Sequence, residues 1–448
     1  MMTRTDSEKY GLSRRAHLGR SALADPPKRN FDPIEVFQRS CTGRVPSLLP
    51  IKFRLMSTSP FAFFRGSTGI MAADFAAAKN TQIEVQLCGD AHVKNFGFFA
   101  TPASDIVIDI NDFDETIRGP WEWDVKRMAT SIMLAGRMAG DREALCKQAT
   151  EIFIEDYGDW VHRFSNMPTL EVARHRAVRN MRDPFIREAL KKAERSTPLS
   201  NLDKLTRKKG DSRYFITRPN TLWEVKGKTR KAVLAAIPEY RETLAPDRKM
   251  LLDRYRPVDV GFKVVGTGSV GTRDYVVLFF GRDQNDPLFL QIKEEPASIY
   301  APYLPNAITP AHQGQRVVEG QRALQVMSDL LLGWCSIEGR DYLVRQLSDH
   351  KSGIEPEELN GERLAEYGRI CAELLAKGHA RSGSPVAISA YLGASDKAQR
   401  ALLRYAVSYA DQVEKDYAAF RKALRQGKLK VKDQAQAQVE AQAEAAVV

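Results

Sequence analysis

The sequence predicts an α+β protein of two lobes, one a small antiparallel β-sheet and the other larger and mainly helical. Three observations carry this prediction. Short runs rich in β-branched and aromatic residues cluster at Phe262–Val265, Asp274–Phe280, Pro287–Lys293 and Arg340–Gln346. Apolar residues recur three or four apart over longer segments on both sides of that cluster. An isolated pair of strand-like runs, Ile83–Cys88 and Ile106–Ile110, lies within the first helical part.

The elements follow in order. Residues 1–30 are polar and basic and are expected to be poorly ordered. Asp32-Pro33 is a helix start, with Asp as cap and Pro in the first turn. Phe61–Ala78 has helical content, interrupted near Gly66. After the strand pair, Glu122–Gly136 places Val125, Met128, Ala129, Ile132 and Met133 on one helical face. Helical patterns continue at Arg142–Asn166 and Pro184–Arg195. Ser196–Leu222 is polar and broken by Pro and Gly, the pattern of a mobile loop or insertion. Gln315–Leu332, Pro356–Ala380 and Asp396–Leu424 read as helices. The tail from Gln434 to Val448, rich in Ala, Gln and Glu, reads as frayed helix or disorder. The expected division is a poorly ordered segment 1–30, a large-lobe part 31–257, a small β lobe 258–350, returning large-lobe helices 351–428 and a tail 429–448.

A chain of 448 residues, 43% hydrophobic, is long enough for a two-lobed enzyme with a sizeable core. Its 5 Cys are odd in number and lack framework spacing, so a reducing cytoplasm is expected and a disulfide scaffold is excluded. No apolar N-terminal segment has the make-up of a signal peptide, and no run reaches membrane-spanning length, so no membrane insertion is expected. Residues 171–231 carry 18 Lys and Arg against 7 Asp and Glu, an excess of 11 that equals the +11 of the whole chain. That basic stretch favours anionic partners, nucleic acid among them, or is a solvated helical face. No helix-turn-helix, zinc or RNA-binding motif accompanies it.

The first strand-like run delivers Gly89-Asp90-Ala91-His92-Val93-Lys94-Asn95, and the second ends in Asn111-Asp112-Phe113-Asp114. Magnesium on a phosphate chain takes one or two protein oxygens, and phosphate and water fill the remaining positions. Asn95 and Asp112 have that chemistry. Asp90 has the chemistry to orient an acceptor hydroxyl and take its proton. His92 has only Cys88 as a soft neighbour, too few ligands for closed zinc, and reads as a loop-structuring residue. Singly, each of these is an ordinary turn residue. Together, on a strand–loop–strand frame, they point to phosphoryl transfer.

A second constellation lies in Gly266-Thr267-Gly268-Ser269-Val270-Gly271. It matches G-x-G-x-x-G, but the β-branched and aromatic residues after it fit a hairpin better than a dinucleotide-binding helix. Gly266, Gly268, Ser269 and Gly271 at a hairpin tip let backbone N–H groups approach phosphates. Lys293 ends the next strand, and Glu319 on the following helix is its expected ion-pair partner, with Glu294 and Glu295 as rivals. Arg65, after two aromatics, either binds a phosphate or carboxylate or pairs with Asp90 or Asp124. Trp121 and Trp123 read as core or cleft wall.

Gly89–Asn95 with Asp112-Phe113-Asp114 resembles the catalytic core of aminoglycoside-phosphotransferase-like kinases, H-G-D-x-x-x-x-N followed by I-D-F/W. Cys88 stands where those enzymes often have His. Asp124 in Trp121-Glu122-Trp123-Asp124-Val125 resembles their buried Asp, which implies that it braces the loop. The helix around Leu374–His379 resembles the one preceding their catalytic loop. The order is unusual, because the catalytic hairpin here precedes the glycine loop and lysine. The resemblance therefore implies a circularly permuted protein-kinase-like fold, with ATP and Mg2+ as cofactors. The chain also resembles, over roughly residues 30–425, the DUF2252 family of uncharacterised bacterial proteins. The matching segments include Ser59–Gly66, Leu87–Gly97, Asn111–Thr130, Val264–Thr272, Leu288–Glu294, Gly314–Arg322 and Gly378–Gly383.

The expected function is thus an ATP- and magnesium-dependent phosphotransferase acting on a small-molecule hydroxyl, with transfer of AMP left open. Asp90 would be catalytic, Asn95 and Asp112 would hold metal, and Gly266, Gly268, Ser269, Gly271, Lys293 and Glu319 would bind nucleotide. His92, Asp114, Asp124 and Arg65 would support them. The alternatives are a nucleotide-binding pseudokinase and a nucleic-acid-binding protein using residues 171–231.

Overall fold

The computed structural model describes residues 2–25, 28–177, 184–210, 212–219, 221–264, 266, 268–347 and 352–429. The tail expected to fray from Gln434 lies outside them.

The chain opens with a helix where little order was expected. Helix α1 (Arg4–His17) starts at a capping box made by Thr3 and Asp6. It lies so close to the later helix Pro385–Leu392 that a Cβ on Gly11 would fall 2.2 Å from the Ala387 carbonyl oxygen. A polar, basic sequence is thus ordered by docking rather than by its own propensity. Helices α2 (Pro33–Arg39, capped by Asp32), α3 (Leu49–Met56), α4 (Pro60–Gly66) and α5 (Thr68–Ala76) follow, with the break after Gly66 as expected. Strands β1 (Glu84–Leu87), β2 (Phe96–Ala100), β3 (Ile106–Ile110) and β4 (Ile117–Pro120) form the early hairpin region. In it β1 pairs with β4, and β2 with β3.

Helix α6 (Trp121–Met138) is the axis of the large lobe, with every residue from Trp121 to Gly136 buried. Its charged residues are buried because each finds a partner. Glu122 accepts from Thr81 N and Oγ1 at 2.6 and 2.7 Å, and Lys126 lies 4.3 Å from the centre of the Tyr405 ring. Trp121 and Trp123 are core residues, stacked on Tyr157 and Phe75. Helices α7 (Glu143–Asn166), α8 (Thr169–Arg174) and α9 (Pro184–Glu194) complete this part.

The polar stretch 196–222 is structured where a loop was expected. It forms α10 (Pro198–Leu205) and the hairpin β5 (Thr206–Lys209)–β6 (Ser212–Phe215). Its few apolar side chains decide the matter: Leu202 and Phe215 pack with Val276, Leu278 and Phe289 of the main sheet. Strand β7 (Leu222–Glu224) and helices α11 (Gly227–Ala235), α12 (Ile237–Glu242) and α13 (Pro246–Leu252) lead into the small lobe.

That lobe is built on β8 (Arg256–Lys263), β9 (Asp274–Phe280) and β10 (Pro287–Glu294), then α14 (Gln313–Leu324), β11 (Gly333–Ile337) and β12 (Arg340–Gln346). The sheet runs β11-β12-β10-β9-β8-β7, all antiparallel. It therefore begins at Leu222, upstream of the expected boundary at 258. Helix α14 stops at Leu324, short of Leu332, and Gln325 turns its amide onto the Ile110 carbonyl at 2.6 Å. A short strand β13 (Ser352–Gly353) returns the chain to β2. Helices α15 (Glu362–Ser382), α16 (Pro385–Leu392) and α17 (Lys397–Arg425) then rejoin α6 and α7 in the large-lobe core. All five cysteines are unpaired, and among the described residues no helix is long and apolar enough to cross a membrane.

Candidate functional site

The loop after β1 is held from below. Gly89 has φ +85°, and a Cβ there would fall 2.2 Å from the Glu115 carbonyl oxygen, so only glycine fits this turn. Buried Asp124, in the first turn of α6, accepts from the backbone N–H of Cys88 at 2.8 Å and of Gly89 at 3.0 Å. His379 Nε2 lies 3.3 Å from the same carboxylate, and its Nδ1 is 2.8 Å from the Tyr157 hydroxyl. Asp124 thus braces the loop through its backbone. The Cys88 side chain is buried, and burial pushes its thiol well up.

Asp90 and Asn95 turn into one cleft. Asn95 Nδ2 donates to the Asp90 carbonyl at 2.8 Å, closing the loop on itself. The Asp90 carboxylate accepts from Arg127 Nε at 2.6 Å, and Thr68 Oγ1 is 3.4 Å away. Burial works to raise this carboxyl, but the guanidinium groups of Arg127 and, more weakly, Arg65 overcome it and hold it below the usual carboxylate range. Burial lowers His92 to about 3, so the imidazole whose Nε2 lies 3.5 Å from Asp90 is neutral.

The opposite wall belongs to the small lobe. Lys293 of β10, 3% exposed, ion-pairs with Asp114, and Ser269 Oγ of the glycine loop donates to the same carboxylate at 3.0 Å. Burial opposes the Lys293 charge, but Asp114, Glu295 and Asp112 hold it above the ordinary lysine range. Asp112, crowded by burial and by Asp114, is pushed up to about 7. The resulting cleft, open to solvent, is lined by Arg65, Asp90, His92, Asn95, Asp112, Asp114, Gly266, Gly268 and Ser269 among others. The two constellations, far apart in sequence, therefore share one crevice. The glycine loop is also strapped from outside: Lys52 Nζ donates to the Gly268 carbonyl at 2.8 Å, Arg44 to Val270 at 2.8 Å and Val45 N to Gly271 at 2.7 Å.

Two expected pairings differ. Glu319 is exposed on α14 and accepts from Gln315 at 2.7 Å, whereas Lys293 has buried Glu295 at 3.8 Å. The reason is the rotation of α14. It presents Arg316 to the site, where the guanidinium donates to the carbonyls of Asp114, Thr116 and Pro296, and Gly320 meets Thr116. Arg65 pairs with neither Asp90 nor Asp124, because Arg127 takes the first and backbone N–H groups with His379 take the second. Arg127, Thr68, Arg316 and His379 are the site residues that sequence spacing did not single out, while Glu295 was weighed there only as a rival of Glu319. For Arg127 a signal existed, a guanidinium next to Lys126 inside an otherwise apolar helical stripe.

Among the described residues no group of three or more His, Cys, Asp or Glu is arranged to hold a metal by itself. The donor set fits magnesium that arrives with phosphates, which needs only one or two carboxylates. Asp112 and Asp114 crowd together with a single lysine, and Asn95, its amide nitrogen committed to Asp90, keeps its amide oxygen for a cation. No described residue of the basic 171–231 stretch lines this cleft, and eight of its 18 Lys and Arg lie on α9, α10 and the β5–β6 hairpin.

Residues 44–423 match the family model described as "Uncharacterized protein conserved in bacteria (DUF2252)". No curated protein and no solved structure matches the chain.

Proposed function

The chain belongs to the bacterial DUF2252 family, and on that premise we propose that it is an ATP- and magnesium-dependent phosphotransferase acting on a small-molecule hydroxyl. One observation carries the reading: Asp114 of the early hairpin is met by both Lys293 and Ser269 from the other lobe. Carboxylates and the glycine loop therefore face one space, with the Lys293 ammonium buried behind Asp114, the groups that phosphoryl transfer needs for positioning and charge neutralisation. Asp112, Asp114 and Asn95 are the residues that would hold magnesium, which neutralises phosphate charge when bound. Lys293 contributes a fixed cation, kept in place by its ion pair with Asp114 and not by the expected Glu319. Asp90 orients the acceptor hydroxyl and accepts its proton.

The resemblance to permuted kinases gains support from the seam between α15 and β1. Ser382 Oγ accepts from Gln86 N at 3.1 Å, and a Cβ on Gly383 would fall 2.9 Å from the Glu84 carbonyl oxygen. The helix that would precede the catalytic strand in unpermuted order thus ends beside it.

A second reading, a nucleotide-binding regulatory module, is favoured by the Asp90–Arg127 ion pair, which weakens Asp90 as a base. Calorimetry with magnesium–ATP and a phosphate-release assay separate the two. We expect wild type to bind and turn over ATP, Lys293→Ala to bind at least about tenfold more weakly, and Asp90→Asn to stay folded without turnover. Binding without turnover selects the regulatory module, and no binding by wild type removes both.

A further inference from the structure

Resting on the phosphotransferase reading, we propose that Arg65, with Arg44, forms an anion subsite at the acceptor end of the cleft, so the acceptor carries a phosphate or carboxylate beside its hydroxyl. Both guanidinium groups line the cleft. Among the described residues neither has a carboxylate partner. Arg44 donates only to the neutral carbonyls of Ser40 at 3.3 Å and Val270 at 2.8 Å. Among the described residues the Arg65 side chain has no hydrogen-bond partner, and its buried Nε is left unsatisfied. The carboxylates that act on it, Asp90, Asp112, Glu355 and Glu357, do so from beyond ion-pair reach, and Asp90 and Glu355 are already paired with Arg127 and Lys94.

A half-buried guanidinium whose Nε has neither partner nor counter-ion is better satisfied when an anion meets it. The subsite adjoins the glycine loop, since Arg44 donates to the Val270 carbonyl and the Arg65 carbonyl lies beside Gly268, and what distinguishes it from the nucleotide's is the lobe that carries Arg65. The groups proposed for the transferred phosphate, Lys293 and the glycine loop, come from the small lobe, whereas Arg65 ends α4 in the large lobe. The charged neighbour that acts most on it is Asp90, the carboxylate assigned to the acceptor hydroxyl. An anionic group on Arg65 would therefore set the acceptor's hydroxyl toward Asp90.

The test uses the full chain with saturating magnesium and a non-hydrolysable ATP analogue, titrated with inorganic phosphate and, separately, malonate, and read by thermal shift and calorimetry. We expect one or both anions to bind wild type, Arg65→Gln to lose at least about tenfold in that affinity, and Arg44→Gln to lose less. The affinity of Arg65→Gln for the nucleotide analogue should stay within about twofold of wild type. Equal anion binding by wild type and Arg65→Gln, or no anion binding by wild type, overturns the proposal. A matching loss of nucleotide affinity also overturns it, by assigning Arg65 to the nucleotide phosphates. Should Arg65→Gln fail to fold, Arg65→Lys, which keeps charge but loses the fork, and Arg44→Gln carry the same comparison. If wild type binds no nucleotide yet shows Arg65-dependent anion binding, the phosphotransferase reading falls and the anion site stands.

Discussion

At the scale of residues, the site is a set of buried charges, each with an identifiable reason to be there. Asp274 is the clearest case outside the cleft chemistry. It is 1% exposed, accepts from Gln291 Nε2 at 2.7 Å through one oxygen, and leaves the other without a partner. Burial pushes its carboxyl up to about 6 against the opposing pull of Lys293, Gln291 and Lys263. A carboxyl raised on folding favours the protonated native state. Its stabilising effect is full below the unfolded value near 3.8 and is lost as pH rises through about 6. Asp274→Asn removes that dependence. Relative to the variant, wild type should therefore lose about 1 kcal/mol between about pH 5 and about pH 8. Urea unfolding at both pH values measures this, and a pH-independent difference would reject it. The same scale shows what sequence could reveal. Asp90, Asn95, Asp112 and Asp124 stood out because their spacing is local to two strands and a helix start. The partner of Asp90 did not, since Arg127 reaches it only once α6 is buried. Glu319 misled because one residue of helical rotation decides whether a side chain faces a cleft or water.

At the scale of elements, strand and helix periodicity located β9, β10, β12, α6, α7 and α17 with small end errors, because these segments bury a regular face, whereas β8 starts six residues before the expected Phe262. The segments misjudged were those ordered by contacts made elsewhere. Stretch 196–222 has too few apolar residues to show a period, yet Leu202 and Phe215 suffice to anchor it on the sheet. The glycine loop is likewise an element held from outside, by the segment joining α2 to α3. Gly271 has φ +99°, and a Cβ there would lie 2.9 Å from Arg44 Cβ. Gly271→Ala should cost about 1–2 kcal/mol through backbone strain and weaken magnesium–ATP binding by displacing Arg44 and Val45. Chemical denaturation and calorimetry on the variant check both, and an unchanged pair of values would show the strap to be incidental.

At the scale of the molecule, the large lobe is assembled from both ends of the chain. Helices α15 to α17 pack with α6 and α7, and α1 covers α16, with Arg15 and Arg20 donating to the Tyr391 and Leu392 carbonyls at 2.8 and 2.6 Å. Composition alone assigned residues 1–30 to disorder because their partners lie more than 350 positions away. Deleting residues 2–24 should lower the melting temperature and make α16 the earliest of the large-lobe helices to exchange its amide hydrogens. Exchange mass spectrometry with unchanged protection of α16 would contradict this.

The double contact on Asp114 has a kinetic consequence. Lys293 and Ser269 already stitch the lobes together, so under the proposed function an incoming triphosphate would meet a door fastened from inside. Its observed association rate should level off at high ligand concentration, at the frequency with which the stitch parts, instead of climbing without limit. In Ser269→Ala, which removes one of the two threads, stopped-flow mixing should show that plateau rise.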